Sequence, residues 1–420
     1  MINRALSFAK ADYRYTWSEI FIVAAIFTKE LGSRNDFGID FDYLGYPFFI
    51  LYFFFFIAKI LRERAAPNGL FLYLIASSVI SIIALNLPPG GFLKQIIPII
   101  IILTVSFTVL GKSNINKVFL LYVNITLVTA IFGLIQVLLS LNGVQVLIKE
   151  TGRLDSIAYE PSHYAAILMP ALVYSYLNLK RYIFHFATML LALLLTFNLT
   201  CYIVFLAIFT FATFHPLYVL VTVPLAYYLF FFFLPGFSKN FSNRFDDTFS
   251  TISGEKDVLG VNTIINTTTL SLYSNYAVAK YSLSQNLLTG AGLGGHEEMY
   301  FRRFANTAFQ YNINYGVNAK SGHSLSIRIL SELGLVGSIL YIYTIVKNLV
   351  LVRQGLYYAI SLSCISHFLC KTFKLGGYID YGTPFFLTVL VLNARAFIAH
   401  QQINSRENQQ KHNIPVQQAT

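Results

Sequence analysis

Charged residues are scarce in this chain: Asp, Glu, Lys and Arg together make up only 12% of its 420 residues. Hydrophobic residues make up 56%, and the mean hydropathy is +0.60. This composition excludes an ordinary soluble domain and predicts an integral membrane protein. The apolar runs lack the strict alternation of a transmembrane barrel, so we expect the membrane to be crossed by helices.

Cysteines and metal-binding motifs are also rare. Cys201, Cys364 and Cys370 are scattered through apolar sequence without CxxC spacing, which is typical of buried core thiols. No group of His, Cys, Asp and Glu has metal-ligand spacing, so we expect no bound metal and no cofactor. A small-residue cleavage site is missing after the first apolar run, and we therefore expect that run to be retained as a span.

Acidic residues are fewer than basic ones: the chain has 19 Asp and Glu and 30 Lys and Arg, which gives a net charge of +11. In a soluble protein such an excess would suggest nucleic-acid binding. Here most of the basic residues lie in short connections between apolar runs, where they set orientation and contact anionic head groups. We therefore expect membrane lipids as partners and no nucleic acid.

About twelve apolar runs are long enough to cross a hydrocarbon core of about 30 Å. If the chain alternates, the basic connections all fall on one side, which is then cytoplasmic together with both termini. The seventh and eighth runs are short and could instead form a re-entrant pair. The predicted spans are 15–31, 43–61, 70–87, 93–110, 118–141, 161–178, 183–198, 200–214, 217–235, 323–346, 356–372 and 382–399.

One long polar segment, residues 236–322, separates the spans of 1–235 from those of 323–400, and a polar tail at 401–420 is expected to be disordered. The long segment falls on the extracytoplasmic side. The chain shows no internal repeat, which counts against transporters built from duplicated halves. Helical apolar spacing within 263–288 predicts an ordered cap of short helices, with its apolar stripe at Leu270, Tyr273, Ala277, Tyr281 and Leu288.

A glycine-rich stretch, residues 289–295, follows that predicted helix. Gly290, Gly292 and Gly295 match the GxGxxG pattern, but no strand–turn–helix unit surrounds them, so dinucleotide binding is not expected. A tight turn between cap helices is the better interpretation.

The first candidate site lies where the loop after the fifth span enters the sixth. Pro161 suits the first turn of a helix, and Glu160 before it would face the positive end of the helix dipole. A simple helix cap explains Glu160 alone. Arg153, Ser162 and His163 at the same membrane edge favour a functional role.

The second candidate site begins the tenth span. At about 100° per residue, Ser324, Arg328, Ser331 and Glu332 fall on one face of a helix. Charges inside a span are costly and usually functional, although Arg328 and Glu332 could also form a purely structural ion pair.

His323 precedes that helix and would point about 180° away from Glu332 on a continuous helix. The two can cooperate only if the turn before the helix is irregular or if His323 lies above the helix proper, which Gly322 permits.

Basic side chains of the long outer segment form a third candidate. Arg302, Arg303 and Lys320 could bind a diphosphate or an acidic glycan, since guanidinium groups recognise phosphate through paired donors. A solvated loop face is the simpler alternative. His367 and Lys371 in the eleventh span are expected to be packing or interfacial residues.

These motifs together resemble the Wzy-type polymerases of O-antigen and capsular polysaccharide, within the O-antigen ligase and polymerase superfamily. Residues 153–165 are similar to the family's Arg…Glu-Pro-Ser…Ala signature, although Ser156 stands where a glycine would follow the arginine. His323 and Ser324, then nine residues, Gly334, two residues and Gly337 match the superfamily pattern. The glycine-rich turn is similar to one in the family's large periplasmic loop.

The resemblance implies an all-α polytopic membrane protein of about twelve transmembrane helices, GT-C-like, with one large extracytoplasmic helical loop. It also implies a metal-independent glycosyltransferase of the bacterial inner membrane, with its active site facing the periplasm. The donor would be a growing glycan on undecaprenyl diphosphate, and the acceptor the next lipid-linked repeat unit. A chain-length regulator protein is a further implied partner.

The resemblance also assigns roles to the candidate residues. Arg328 and Arg153 would stabilise the leaving diphosphate, His323 or Glu160 would take the acceptor's proton, and Glu332 would hold Arg328 in place. A ligase that transfers glycan to lipid A-core differs only in its acceptor and remains an alternative. A flippase or transporter is the alternative from another class, and it predicts ionisable residues spread through many spans.

Overall fold

The computed structural model describes residues 15–28, 45–63, 68–148, 150–158, 160–214, 216–233, 250, 259–261, 266–353 and 355–412. Regular structure within these residues is helical, without a β-strand. Short 3-10 helices cover Pro216–Tyr218, Ala308–Tyr311 and Asp380–Gly382. The α-helices are α1 Trp17–Phe27, α2 Gly45–Glu63, α3 Asn68–Leu85, α4 Gly90–Leu110, α5 Ile115–Leu141, α6 Pro161–Leu177, α7 Leu179–Leu195, α8 Leu199–Thr213, α9 Val219–Phe233, α10 Thr267–Gln285, α11 His296–Phe304, α12 Leu325–Lys347, α13 Leu356–Phe373 and α14 Thr383–His412.

Among the described residues, four helical segments are long and apolar enough to cross a membrane: α4, α5, α12 and the segment Asp380–Ser405 that includes most of α14. Shorter apolar helices include α1 and α8. Large hydrophobic side chains such as Phe55, Ile83 and Leu220 point outward, as is expected where lipid replaces water. The chain is a helical membrane protein.

Each predicted span overlaps one helix of the described residues, and polar caps mark several of the helix starts. Thr16 and Glu19 form a capping box at α1, in which the Thr16 amide donates to the Glu19 carboxylate at 2.8 Å. Asn114 accepts from the amides of residues 116 and 117 at the start of α5. The helix α1 is shorter than the predicted first span, and residues 29–31 of that span lie outside the described residues.

The predicted short pair corresponds to α7 and α8. The helix α7 begins earlier than expected, directly after Asn178, and is kinked at Tyr182 (φ −122°, ψ 32°). The turn into α8 is fixed by Asn198, whose side chain accepts from the Cys201 amide. At about 1.5 Å per residue each helix is roughly 25 Å long or less, slightly below the thickness of a hydrocarbon core.

The helix α10 forms within the predicted stretch, although residues 262–265 at its expected start lie outside the described residues. The predicted apolar stripe is buried only in part, because Leu270 is fully buried whereas Tyr273 is 41% exposed and Leu288 is 60% exposed. The buried face is largely polar and carries Ser271, Asn275 and Ser282. The reason is that α10 packs on the polar start of α12, where the Ser282 and Ser331 hydroxyls lie 2.9 Å apart.

The glycine-rich stretch forms a turn that is wedged into a break in α12. The helix is interrupted at Gly334, whose φ of 63° and ψ of −160° are non-helical. Backbone groups of the turn replace the missing helical hydrogen bonds: the Ala291 amide donates to the Ser331 carbonyl at 2.8 Å, and the Leu335 amide to the Leu287 carbonyl at 3.1 Å. The predicted continuous helix is therefore two helical pieces joined at this turn.

The polar tail differs from the expectation of disorder, since α14 continues to His412. Polar residues such as Gln and Asn do not break a helix that a long apolar segment has already nucleated. The Ser405 hydroxyl bonds to the Gln401 carbonyl one turn back. Residues 413–420 lie outside the described residues.

Candidate functional site

The turn before α12 is irregular and places His323 above the helix. Gly322 and His323 both adopt left-handed backbone conformations, with φ of 68° and 61°. Ser324 then caps the helix by accepting from the Ile327 amide at 3.3 Å. His323 therefore lies outside the regular helix.

Arg328 and Glu332 form the predicted ion pair, with Nε and Oε1 3.2 Å apart. Both side chains are buried, and Tyr378 closes over them. The Tyr378 ring lies 4.7 Å from the guanidinium, and its hydroxyl donates to Glu332 Oε2 at 2.8 Å. Arg328 Nη1 donates to the Gly376 carbonyl at 3.4 Å. Within the described part of the chain, Nη2 has no protein acceptor and can donate to a ligand.

The polar groups from the two sequence motifs meet at one segment, residues 374–382 between α13 and α14, which we name the connector. Its Leu375 amide donates to the His323 carbonyl at 2.8 Å. The Tyr381 hydroxyl lies 2.9 Å from His163 Nδ1. The connector therefore links the start of α12 to the start of α6. Sequence reasoning missed it, although a run of polar and glycine residues between two spans was a visible signal.

Glu160 and its neighbours form the second part of the site, at the N-terminus of α6. The Ser162 hydroxyl donates to Glu160 Oε2 at 3.2 Å, and His163 Nε2 lies 3.6 Å from the same oxygen. The Glu160 side chain keeps 44% of its surface exposed. Glu160 is therefore an accessible carboxylate with a fixed orientation, in addition to its place as the cap residue of the helix.

Electrostatics connect Glu160 to His323. Burial and the positive charge of Lys374 lower the pKa of His323, the negative charge of Glu160 raises it, and the net value is about 4. The imidazole is therefore neutral at pH 7. The first two predicted sites thus lie within electrostatic reach of each other at one end of the helical bundle.

A layer of buried polar side chains from the outer segment lies behind His323. His323 Nδ1 is 2.9 Å from the Ser271 hydroxyl, and His296 Nε2 is 2.9 Å from Asn275 Oδ1. Burial and the nearby Arg328 charge lower the pKa of His296 to about 3. Sequence reasoning missed this layer, because it followed the apolar residues of α10.

Lys371 and His367 are fully buried within the bundle and are not interfacial. The Lys371 ammonium donates to the Thr383 hydroxyl at 2.6 Å and to the Gly377 and Asp380 carbonyls of the connector. His367 Nδ1 donates to the Ala166 carbonyl at 3.2 Å. These contacts hold the connector against α6 and α13.

The remaining predicted residues lie at other points of the surface. Arg153 bonds to Glu150 at 3.1 Å and to the Thr196 carbonyl at 3.2 Å, which fixes its loop against the end of α7. Among the described residues no contact joins it to Arg328, and its diphosphate role stays a prediction. Ser156 adopts φ 54°, the conformation that a glycine would favour, and its hydroxyl donates to the Thr129 carbonyl.

Arg302 holds α11 against the end of α3, since its guanidinium donates to the Leu85 and Asn86 carbonyls at 2.8 and 2.9 Å and to Glu298 at 3.0 Å. Arg303 and Lys320 are exposed on the outer segment, and Arg303 lies 5.6 Å from the Phe304 ring. None of these three contacts the Arg328 pair within the described ranges.

The two lowered histidine pKa values predict a loss of stability in acid. The pKa of each histidine is near 6.5 in the unfolded chain and about 4 or 3 in the folded one, so below pH 6.5 the unfolded state binds more protons. The stability contributed by the neutral rings is complete above pH 6.5 and declines as the pH falls towards 4. Each ring contributes on the order of a few kcal/mol.

The melting temperature in detergent is therefore expected to decrease as the pH is lowered from 7 to 4.5. The decrease should be smaller in His296→Gln. The variant's amide can still donate to Asn275, but it does not bind a proton. Equal pH dependence of the two proteins would contradict the prediction.

Among the described residues no group of three or more His, Cys, Asp and Glu side chains could hold a metal ion. The chemistry available at this end of the bundle is a buried cation with a spare donor, an exposed carboxylate and a neutral imidazole. Comparisons with protein-family models, with curated proteins and with solved structures found no match to this chain.

Proposed function

We propose that this chain is a polysaccharide repeat-unit polymerase that transfers a growing glycan from undecaprenyl diphosphate to the next lipid-linked repeat unit. The observation that carries the proposal is the grouping of Arg328, His323 and Glu160 around the connector. A cation beside a carboxylate and an imidazole suits glycosyl transfer from a diphosphate. The cation can stabilise the leaving diphosphate, and the carboxylate or the imidazole can take the acceptor's proton.

Arg328 is the proposed diphosphate-binding residue. Its charge is desolvated and oriented by Glu332 and Tyr378, so it needs little reorganisation when negative charge develops on the leaving group. The Nη2 donor that has no protein acceptor among the described residues is available to a phosphate oxygen. Glu332 holds Arg328 in place and does not contact the substrate.

An apolar groove beside this pair supports a lipid-linked donor. It is lined by Leu70 and Leu103 of α3 and α4, by Ile329 and Tyr341 of α12 and by Leu387 of α14, and it reaches Tyr378. Its α12 lining extends from Leu325 to Ile345, on both sides of the break at Gly334. We assign this groove to the polyprenyl chain, whose diphosphate end would then meet Arg328.

The proposal includes the finer topology: about twelve crossings in a GT-C-like arrangement, both termini in the cytoplasm, and the site facing the periplasm of a bacterial inner membrane. The N-termini of α6, α12 and α14 all lie at the connector. This supports a site at a single end of the helical bundle, which the proposal places on the periplasmic side. A chain-length regulator is the proposed protein partner. The proposed division is 1–235 and 323–400 for the membrane helices, 236–322 for the periplasmic loop and 401–420 for the tail.

The test is to incubate the purified protein with lipid-linked repeat units alone and to separate the products by size. Extension of the glycan without any other acceptor is expected. A reaction that starts only when lipid A-core is added would mean that the chain is a ligase, which the match of His323, Ser324, Gly334 and Gly337 also favours. Movement of intact repeat units across a vesicle membrane without extension would mean a flippase.

A further inference from the structure

The Ser271 hydroxyl on α10 is fully buried and meets three nitrogen atoms. Asn318 Nδ2 lies at 2.8 Å, Asn275 Nδ2 at 3.4 Å and His323 Nδ1 at 2.9 Å. A hydroxyl carries one hydrogen and two lone pairs, and an amide NH₂ group can only donate. Asn318 donates to Ser271, and Asn275 adds a longer contact through a hydrogen that it shares with the Ser271 carbonyl. Among the described residues no other acceptor bonds to this hydroxyl, so its hydrogen is left for His323.

The orientation of the Asn275 amide follows from its other contacts. Its Nδ2 donates to the Ser271 carbonyl at 2.7 Å and to the Val317 carbonyl at 3.1 Å, while Oδ1 lies 2.9 Å from His296 Nε2. A flipped amide would place an oxygen against two carbonyl oxygens. Asn275 thus presents an amide hydrogen, and not its oxygen, to Ser271, which leaves His323 Nδ1 as the acceptor for the Ser271 hydroxyl.

We infer that Ser271 is a positioning residue that holds His323 in the tautomer with hydrogen on Nε2, so that His323 donates to the leaving diphosphate and Glu160 is the base. The inference rests on the proposed function and refines it. With Nδ1 accepting from Ser271 and Nε2 protonated, neither ring nitrogen has a lone pair for the acceptor's proton. Within the described ranges no protein group bonds to Nε2, and 6% of the residue's surface remains exposed.

The charges that act on His323 agree with this assignment. Lys374 of the connector opposes protonation, and Glu160 at the start of α6 does not overcome the effect of burial. The ring therefore stays neutral, with a pKa near 4, and keeps the Nε2 hydrogen for donation. Glu160 is the accessible carboxylate that can receive a proton.

The proposed step is a single displacement at the anomeric carbon of the donor. The acceptor hydroxyl loses its proton to the Glu160 carboxylate, and its oxygen forms a bond to the anomeric carbon. The bond from that carbon to the diphosphate oxygen breaks, and the diphosphate leaves with the electron pair. Arg328 Nη2 and His323 Nε2 donate hydrogen bonds to its oxygens.

Two substitutions at His323 test the donor role in the chain-extension assay. His323→Gln keeps an NH₂ donor without a base and is expected to retain the rate within about tenfold, whereas His323→Ala is expected to lose about 10² to 10³. Glu160→Gln, which removes the base, is expected to lose about 10² to 10⁴. Equal loss in His323→Gln and His323→Ala would overturn the inference, while the proposed function would survive.

Ser271 is tested by its effect on the tautomer. In the ¹⁵N spectrum of histidine-labelled protein, with His323→Gln used to identify the signals, the wild type should show Nε2 protonated and Nδ1 unprotonated. Ser271→Ala should mix the two tautomers and lower the rate several-fold, whereas Ser284→Ala, at the exposed end of α10, should change neither. A proton on Nδ1 in the wild type would overturn the inference. The tautomer can be measured in protein that shows no chain extension. A failure of this inference is therefore distinguishable from a failure of the proposed function.

Discussion

Gly334→Ala is expected to prevent this chain from folding. A φ of 63° with a ψ of −160° lies in a backbone region that is essentially restricted to glycine. An added Cβ would also meet the Leu288 carbonyl oxygen at 2.5 Å and the Gly290 amide nitrogen at 2.6 Å. Neither backbone group can move without breaking the turn from α12, so we expect a loss above about 4 kcal/mol and little protein in the membrane.

Gly143→Ala is the matched control for this prediction. Gly143 also has a positive φ, of 84°, but an added Cβ there meets nothing within 4 Å. Gly143→Ala is expected to lower the free energy of unfolding only by the cost of placing an alanine in a left-handed conformation, about 1–2 kcal/mol. Membrane abundance and the melting midpoint in detergent measure both variants. Similar values for Gly334→Ala and Gly143→Ala would show that the turn is not packed against α12 in this way.

The second large effect concerns the buried pair. Arg328→Met leaves the Glu332 carboxylate buried without its cation, and a broken buried pair costs about 3–5 kcal/mol. We therefore expect a marked fall of the melting midpoint together with loss of chain extension. The single variant cannot separate a structural pair from a diphosphate site, because both interpretations predict the same result.

A triple variant separates the two interpretations. Arg328→Met with Glu332→Leu and Tyr378→Phe removes the pair and also the hydroxyl that would be left without an acceptor. Apolar replacement of a buried pair is often neutral or stabilising, so the melting midpoint should return close to that of the wild type. Chain extension should remain absent. A stable triple variant that extends glycans normally would show that the pair is structural only.

Local periodicity was sufficient to predict the most costly feature of the site. The spacing of Ser324, Arg328, Ser331 and Glu332 follows from helix geometry, and all four side chains are buried in the structure. The sequence also showed that an irregular turn before the helix was possible, because Gly322 permits one. These predictions depend on neighbours in sequence, which is why they could be made from the chain alone.

The connector could not be predicted in the same way, because its contacts are distant in sequence. Tyr378 lies 46 residues from Glu332, and Tyr381 lies 218 residues from His163. Hydrophobic periodicity carries no information on such pairs. The buried face of α10 was predicted only in part for a related reason: apolar residues normally mark the buried side, but here the helix also covers a polar site and buries Ser271 and Asn275 beside Leu270.

The break at Gly334 shows the limit of reading a span as one helix. The superfamily pattern marked Gly334 and Gly337, but hydropathy treats 323–346 as continuous. Only the approach of the glycine-rich turn, whose backbone supplies the missing hydrogen bonds, makes the interruption stable.

Binding of undecaprenyl diphosphate, compared with undecaprenyl monophosphate, tests most directly whether Arg328 binds a diphosphate. The wild-type protein should prefer the diphosphate lipid by at least about tenfold, since each charge-assisted hydrogen bond contributes about 1.5–3 kcal/mol. The triple variant should bind both lipids through the apolar groove with nearly equal affinity. Equal affinities in the wild type, or an unchanged preference in the triple variant, would contradict the account.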